Sequence, residues 1–288
     1  MSDHLRSGFV LGATSAGAAV GGAQRSADPR VADLVLAGKL RLALFPPMHA
    51  KDPGTGEIRR HAHLMETAWA LAKRLGVELE VIDLPTPIAA MECLNSGACD
   101  LTFTGTERSR TEQVGLTRPI FEMDFTFLVP AAASIHSLAD ADRPGVRIAV
   151  VRHHISTLTL SRLLKHTELA YAETPETAFD LLRTGRADAW ASVGFVLQEY
   201  STRLPGSRLL EGRYGANLLA MAVAKDRAGR LAYVTEFVDE VKASGLAQRA
   251  VELSGFRGLN VATAEIPKLG NEGERGSFSE RQNGRREK

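Results

Sequence analysis

The stretch Asp100 to Pro119, DLTFTGTERSRTEQVGLTRP, decides how this chain is read. It starts as a short apolar strand, Leu101 to Phe103, and breaks into Thr104, Gly105 and Thr106, a turn of small and hydroxyl residues. Glu107, Arg108 and Arg110 follow, and an extended segment closes at Thr117 and Pro119. A strand that ends in small hydroxyl residues with an arginine just beyond has the parts of an anion clamp. Backbone N–H groups and hydroxyls point at the ligand, and a guanidinium pairs with a carboxylate through two parallel hydrogen bonds.

Outward from this stretch, strand-like and helix-like segments alternate. Lys39 to Phe45 reads as a buried strand stopped by Pro46 and Pro47. His61 to Leu75 carries Leu64, Ala68, Leu71, Ala72 and Leu75 at helical spacing, with Gly76 as a natural end. Val77 to Ile82 is a second strand, Ile88 to Leu94 a short helix closed by Asn95 and Gly97, and Asp100 to Thr104 a third strand. After an extended apolar segment, Phe125 to Val129, the pattern repeats. Val146–Val151, Ala170–Tyr171 and Ala187–Ala191 are strands, with helices over Thr157–Lys165 and Pro175–Thr184. Leu218–Ala224 is a long apolar strand and Leu231–Ser244 a helix. A β-α-β-α-β order predicts a mostly parallel sheet flanked by helices. Two such units joined by extended segments predict two lobes with a cleft between them, where ligands bind outside the carboxyl ends of the strands.

Bulk properties narrow the function. A chain of 288 residues with 44% apolar composition can bury the core of one or two domains. A net charge of +1 argues against a surface that coats nucleic acid. No apolar run approaches the roughly 20 residues that a membrane-spanning helix needs. Cys93 and Cys99 cannot make a four-ligand zinc site; they read as two small buried thiols or as a local disulfide. Arg6 precedes SGFVLGATSAGAAVGGAQ, so residues 1–24 are expected to be a secretory signal or a disordered leader. Residues 263–288, rich in Gly, Glu and Arg, are expected to form a solvated tail.

The stretch from Asp100 resembles the corresponding segment of family 3 extracellular solute-binding proteins, the periplasmic receptors of ABC importers. Asp100, Thr106, Arg110 and Leu116-Thr117-Arg118-Pro119-Ile120 fill that family's strand start, turn hydroxyl, arginine and closing strand. GANLLAMAVAKD, from Gly215, resembles the family's return strand, and the similarity runs from about Ala37 to Val261. The resemblance implies an α/β, two-lobed periplasmic-binding-protein-like (type II) fold, each lobe a mostly parallel sheet flanked by helices. Residues 36–124 with 221–262 would form lobe 1 and residues 125–220 lobe 2. It implies a periplasmic, monomeric receptor that captures a small polar or anionic solute and delivers it to a membrane permease. No cofactor, metal or nucleic acid is expected. The alternatives are a lyase of the cyclohexadienyl dehydratase type on the same scaffold and an effector-sensing module.

The expected ligand contacts come from both lobes. In lobe 1 they are Phe45 and Met48 beyond the first strand, then Thr104, Gly105, Thr106 and Arg110. In lobe 2 they are His153, His154 and Ser156, the last as N-cap of a helix whose free N–H groups could hold an anion. Trp190, which walls the cleft or lies in the core, and Ser192 complete the set. Two departures from the family stand out. Amino-acid receptors usually carry Thr-x-Thr before the arginine, where this chain has Gly105-Thr106-Glu107. They also place an aspartate, which pairs with the ligand's ammonium group, where this chain has Val193. An apolar residue cannot balance a buried cation, so the expected ligand is not an ordinary α-amino acid. His153, His154 and Glu107 are the acid–base groups that a lyase would use.

Overall fold

A computed structural model describes residues 28–46, 48–51 and 58–263. The expected leader lies outside them, as does the expected tail beyond residue 263. A turn at Pro29–Val31 leads into helix α1 (Ala32–Ala37) and strand β1 (Lys39–Leu44), and an antiparallel ribbon of β2 (His49–Lys51) and β3 (Ile58–Arg60) follows. Next come α2 (Ala62–Leu75), β4 (Glu78–Asp83), α3 (Pro87–Asn95), β5 (Leu101–Gly105), α4 (Arg108–Thr111) and the long strand β6 (Val114–Val129). The second unit contains α5 (Leu138–Ala141), β7 (Arg147–Val151), α6 (Ile155–Leu163), β8 (Glu168–Ala172), α7 (Pro175–Arg183), β9 (Ala189–Val193), α8 (Gly194–Ser201) and β10 (Arg208–Leu209). The chain returns through β11 (Gly215–Ala224) and ends in α9 (Ala228–Ala243), α10 (Leu246–Ser254) and β12 (Leu259–Val261).

The strands form one mixed sheet in the order β4-β1-β5-β11-β6-β9-β7-β8, with β10 and β12 also paired to β6. On one side β4, β1 and β5 run parallel; on the other β9, β7 and β8 do. Strand β6 belongs to both sides. Its residues up to Phe125 pair with β11, and Phe125 to Leu128 pair with β9. The extended segment read at Phe125–Val129 is thus the second half of a 16-residue strand, and its return partner starts at Gly215, three residues before the expected Leu218. Lobe 1 has one core, built around Leu42, Leu64, Phe103, Phe121 and Tyr233. Lobe 2 packs one cluster around Phe125, Phe127 and Tyr214 and another around Trp190, Phe179 and Tyr200, on opposite faces of its strands.

The same device anchors each lobe. In Gly97-Ala98-Cys99-Asp100 and Gly185-Arg186-Ala187-Asp188, a left-handed glycine (φ 74° and 70°) ends the preceding helical segment and an aspartate opens or precedes the next strand. The N–H of Asp100 donates to the Arg41 carbonyl, and the Arg41 N–H and guanidinium donate back to the Asp100 carboxylate at 2.8–3.0 Å. Asp188 repeats the arrangement with Arg147, whose N–H donates at 2.8 Å. Asp100 is only 3% exposed and also accepts from the buried Arg230. Each carboxylate therefore has two kinds of donor, backbone and guanidinium, which offsets its desolvation.

Between the lobes the contacts are close. Arg213 pairs with Glu122 and, at 2.7 Å, with Asp124, which also accepts from the lobe 1 Asn260 side-chain amide at 3.1 Å. Gln198 on α8 donates to the Gly255 carbonyl and accepts from the Arg257 N–H. Phe195 stacks on Phe256, and both rings meet His61 edge-on. Gly194 sits against the Arg257 carbonyl, where a Cβ would stand 2.7 Å from the oxygen. Because that neighbour is backbone, it cannot rotate away. Gly194→Ala should cost about 2 kcal/mol in urea denaturation, whereas Gly229→Ala, whose Cβ meets nothing closer than 3.5 Å, should be neutral or stabilising.

His63 on α2 is buried, with its N–H and ring nitrogen at the Ser254 hydroxyl. Desolvation, helped by the nearby His61, pulls its pKa from 6.5 down to about 3. The folded-state pKa is depressed, so the unfolded chain binds the proton first. Stability is full above pH 6.5 and falls as the pH drops toward 3. A loss of about 2 kcal/mol between pH 7 and pH 5 is expected from this group, and His63→Gln should flatten that part of the pH–stability curve.

Candidate functional site

The carboxyl ends of the parallel strands of both lobes converge on the crossing. Register places the β5 end, Gly105, opposite Leu219, and the β9 end, Val193, opposite Phe125. The loops that leave these strands are the natural walls of a cleft.

In lobe 1, Thr104 is buried and Gly105, Thr106, Glu107 and Arg110 are half-buried. The Glu107 side chain folds back over Gly105, where a Cβ would run into its carboxylate. The missing hydroxyl of this turn is thus replaced by a carboxylate lying on bare backbone. Arg110 lies on α4, whose start is tied down by Arg110 and Thr111 N–H groups donating to the Glu107 carbonyl. Its guanidinium makes no hydrogen bond or ion pair among the described residues. Arg41, Arg74, Arg118, Arg147, Arg213 and Arg230, by contrast, are all held by carboxylates.

In lobe 2, His153 has φ 62°, the only non-glycine residue among those described in the left-handed region. That conformation is strained for a residue with a Cβ. It turns the chain so that α6 starts two residues before the expected position. His154, not Ser156, is the N-cap, and Ser156 sits inside the first turn, 1% exposed. His154 is open to water on one side yet crowded by protein on others, and desolvation lowers its pKa. The Tyr214 hydroxyl lies beside Ser156 without a hydrogen bond of good geometry, and burial pushes its pKa up. Val193 is half-buried, packed on the lobe 2 core with only methyl groups to offer.

Three of the expected contacts are core residues instead. Trp190 is fully buried between Phe179 and Tyr200, with ring centroids 6.3 and 4.9 Å away. Phe45 and Met48 are 5% and 8% exposed and belong to the lobe 1 core. Strand alternation explains the first: Trp190 and Ser192 share one face of β9, whereas Val193 takes the other. Ser192 is accordingly buried, paired in register with Thr126. Sequence reasoning missed Tyr214, Arg213 and the His61–Phe195–Phe256 cluster, because their partners lie far away along the chain. A cavity of about 360 Å³ at the crossing is lined by Asp124, Thr126, Gly194, Arg213 and Arg257. It contains none of the expected contacts, and Arg213 and Asp124 are already spent on each other. Among the described residues no cluster of three metal-ligating side chains occurs, and no helix is long and apolar enough to cross a membrane.

Comparison with known proteins agrees with this architecture. The family model described as bacterial extracellular solute-binding proteins, family 3, matches residues 61–252, and the chain belongs to that family. Among solved structures it is similar to an ancestral cationic amino acid solute-binding protein, with 23% identity, a TM-score of 0.64, and 77% of this chain and 98% of that one covered. It is also similar to a putative ABC transporter binding component from Wolinella succinogenes complexed with lysine (20% identity, TM-score 0.61, 75% and 95% covered). A third is the solute receptor for L-cysteine of Neisseria gonorrhoeae (23%, 0.57, 78% and 92%). No curated protein matches the chain in sequence.

The two kinds of arginine make a prediction. Arg110→Ala should leave the unfolding free energy within about 0.5 kcal/mol of the parent, because its guanidinium has no partner among the described residues. Arg41→Ala should lose about 2 kcal/mol or more, because it strips a donor from a buried carboxylate. Urea titrations of the two variants test this directly.

Proposed function

We propose that this protein is an extracytoplasmic receptor that closes two lobes around a small organic anion and hands it to an ABC-type permease. The observation that carries the reading is the guanidinium of Arg110, half-buried on the short helix that follows β5 and without a carboxylate partner among the described residues, together with the lack of a carboxylate at Val193 in lobe 2. A half-buried guanidinium without a carboxylate partner among the described residues favours a carboxylate or similar anion. The α6 amino terminus, with His154 as its N-cap, would supply N–H donors and a polar edge from the second lobe. A ligand touching both lobes stabilises the closed form by the contacts it makes only there. The lobes divide at residues 36–124 with 221–262 and at 125–220; the switch of β6 partners at Phe125 supports the first boundary. Membership of an extracellular family supports a location outside the cytoplasm.

The similar structures have titles that name cationic amino acids, lysine and cysteine as their solutes. This chain departs from such receptors where the ammonium group must be neutralised. Calorimetry with the twenty standard amino acids should show no sub-micromolar binding. A thermal-shift screen should instead pick out carboxylates that lack a free ammonium group. Arg110→Ala should weaken the best of these by about 2 kcal/mol or more, and Val193→Asp should shift preference toward amines. Tight binding of one amino acid, lost on acetylation of its amine, would overturn the reading.

A lyase on this scaffold is the second reading. One similar structure is described as an ancestral amino-acid-binding protein that is a precursor of cyclohexadienyl dehydratase. His154, with its lowered pKa, would be its acid–base group. Turnover of prephenate would select this reading over the receptor.

A further inference from the structure

The chain has two cysteines, and the fold sets them side by side in lobe 1. Cys93 lies in the last turn of α3, and Cys99 immediately precedes Asp100 at the root of β5. Gly97, at φ 74°, bends the chain back on itself between them. As a result the N–H groups of Ala98 and Cys99 both donate to the Cys93 carbonyl, at 3.0 and 3.1 Å. Covalent geometry on either side of the second bond keeps the two Cα atoms within about 7 Å, the limit that a disulfide can bridge. Both residues are free thiols here.

The two sulfurs differ in what they can do. Cys99 is 1% exposed, whereas Cys93 is half-buried and reachable from solvent. Burial, followed by the hydrogen-bonding Cys93 thiol and the Asp100 charge, holds the Cys99 proton on. Cys99 is therefore a poor first nucleophile but well placed as a second one. No third metal-ligating side chain joins the pair among the described residues.

We propose that Cys93 and Cys99 are a disulfide-forming pair, closed by a thiol–disulfide oxidant to clasp the end of α3 to the root of β5. The Cys93 thiolate attacks one sulfur of the oxidant's disulfide and expels one thiolate, leaving a mixed disulfide on Cys93. The Cys99 sulfur gives its proton to solvent and attacks the Cys93 sulfur, expelling the second thiolate. Two S–H bonds are lost from the protein, one S–S bond forms, and the oxidant's S–S bond is reduced to two thiols. An extracellular setting supplies such oxidants and preserves the product. The clasp would hold the turn in which Asp100 gathers Arg41 and Arg230, at the opposite end of the strand that leads to Arg110.

The test uses the purified full chain and is independent of what the cleft binds. The reduced protein is incubated with oxidised glutathione, denatured, treated with an alkylating agent and weighed intact. The expected product has lost two hydrogen atoms, carries no glutathione and takes up no alkyl group. Its melting temperature exceeds that of the reduced form by about 5 °C. Cys99→Ser should instead accumulate the mixed disulfide on Cys93, and Cys93→Ser should remain unmodified. Two alkylated cysteines in the oxidant-treated parent, or a glutathione adduct that persists on it, would overturn the proposal.

Discussion

One strand is hydrogen-bonded into both lobes, and the rest of the architecture follows from that constraint. The backbone groups of Val114–Val129 must all be paired, and no single small sheet offers partners for so long a strand. β11 and β12 satisfy its first part, β9 and β10 its last. The two lobes are therefore joined through a continuous sheet rather than through a loose linker. The residues around Phe125 and Gly215 are where the sheet passes from one lobe to the other. The Arg213–Asp124 pair and the Gln198 clamp sit at this crossing.

The carboxyl ends of the parallel strands face the crossing because their amino ends are pinned at the other side. Asp100 and Asp188 do this in the same way, each binding the backbone and guanidinium of an arginine on the neighbouring strand. These are the Gly-x-x-Asp positions, and their carboxylates are consumed by structure. Arg110 is the opposite case. It is half-buried, and its guanidinium makes no hydrogen bond or ion pair among the described residues. Buried and half-buried charges without partners are costly to maintain, which is why the proposed anion site rests on Arg110.

In lobe 2 a strained turn sets the position of the polar residues. His153 accepts a left-handed conformation, and the helix that follows starts at once, which puts His154 at its cap and Ser156 and Tyr214 together behind it. Val193, at the strand end opposite Phe125, offers no counter-charge.

The amino-acid sequence alone determined the alternation of strands and helices, the glycine stops at Gly76, Gly97 and Gly185, and the two-lobed class, because these rest on local periodicity and backbone preference. It also offered Arg110 and Val193 as candidate site residues, since charge type is legible at any position. What it did not determine is which face each side chain takes. Trp190, Phe45 and Met48 carry no local mark that separates a cleft wall from a core, and only packing against Phe179, Tyr200 and the lobe 1 core decided it. The start of α6 was set by a left-handed histidine, a conformation that no sequence rule assigns to that residue. The clamp of Gln198 on Gly255 and Arg257 and the pairing of Arg213 with Glu122 and Asp124 join residues 57 to 91 positions apart. Such contacts exist only once the chain has crossed and returned, so tertiary structure alone could bring them together.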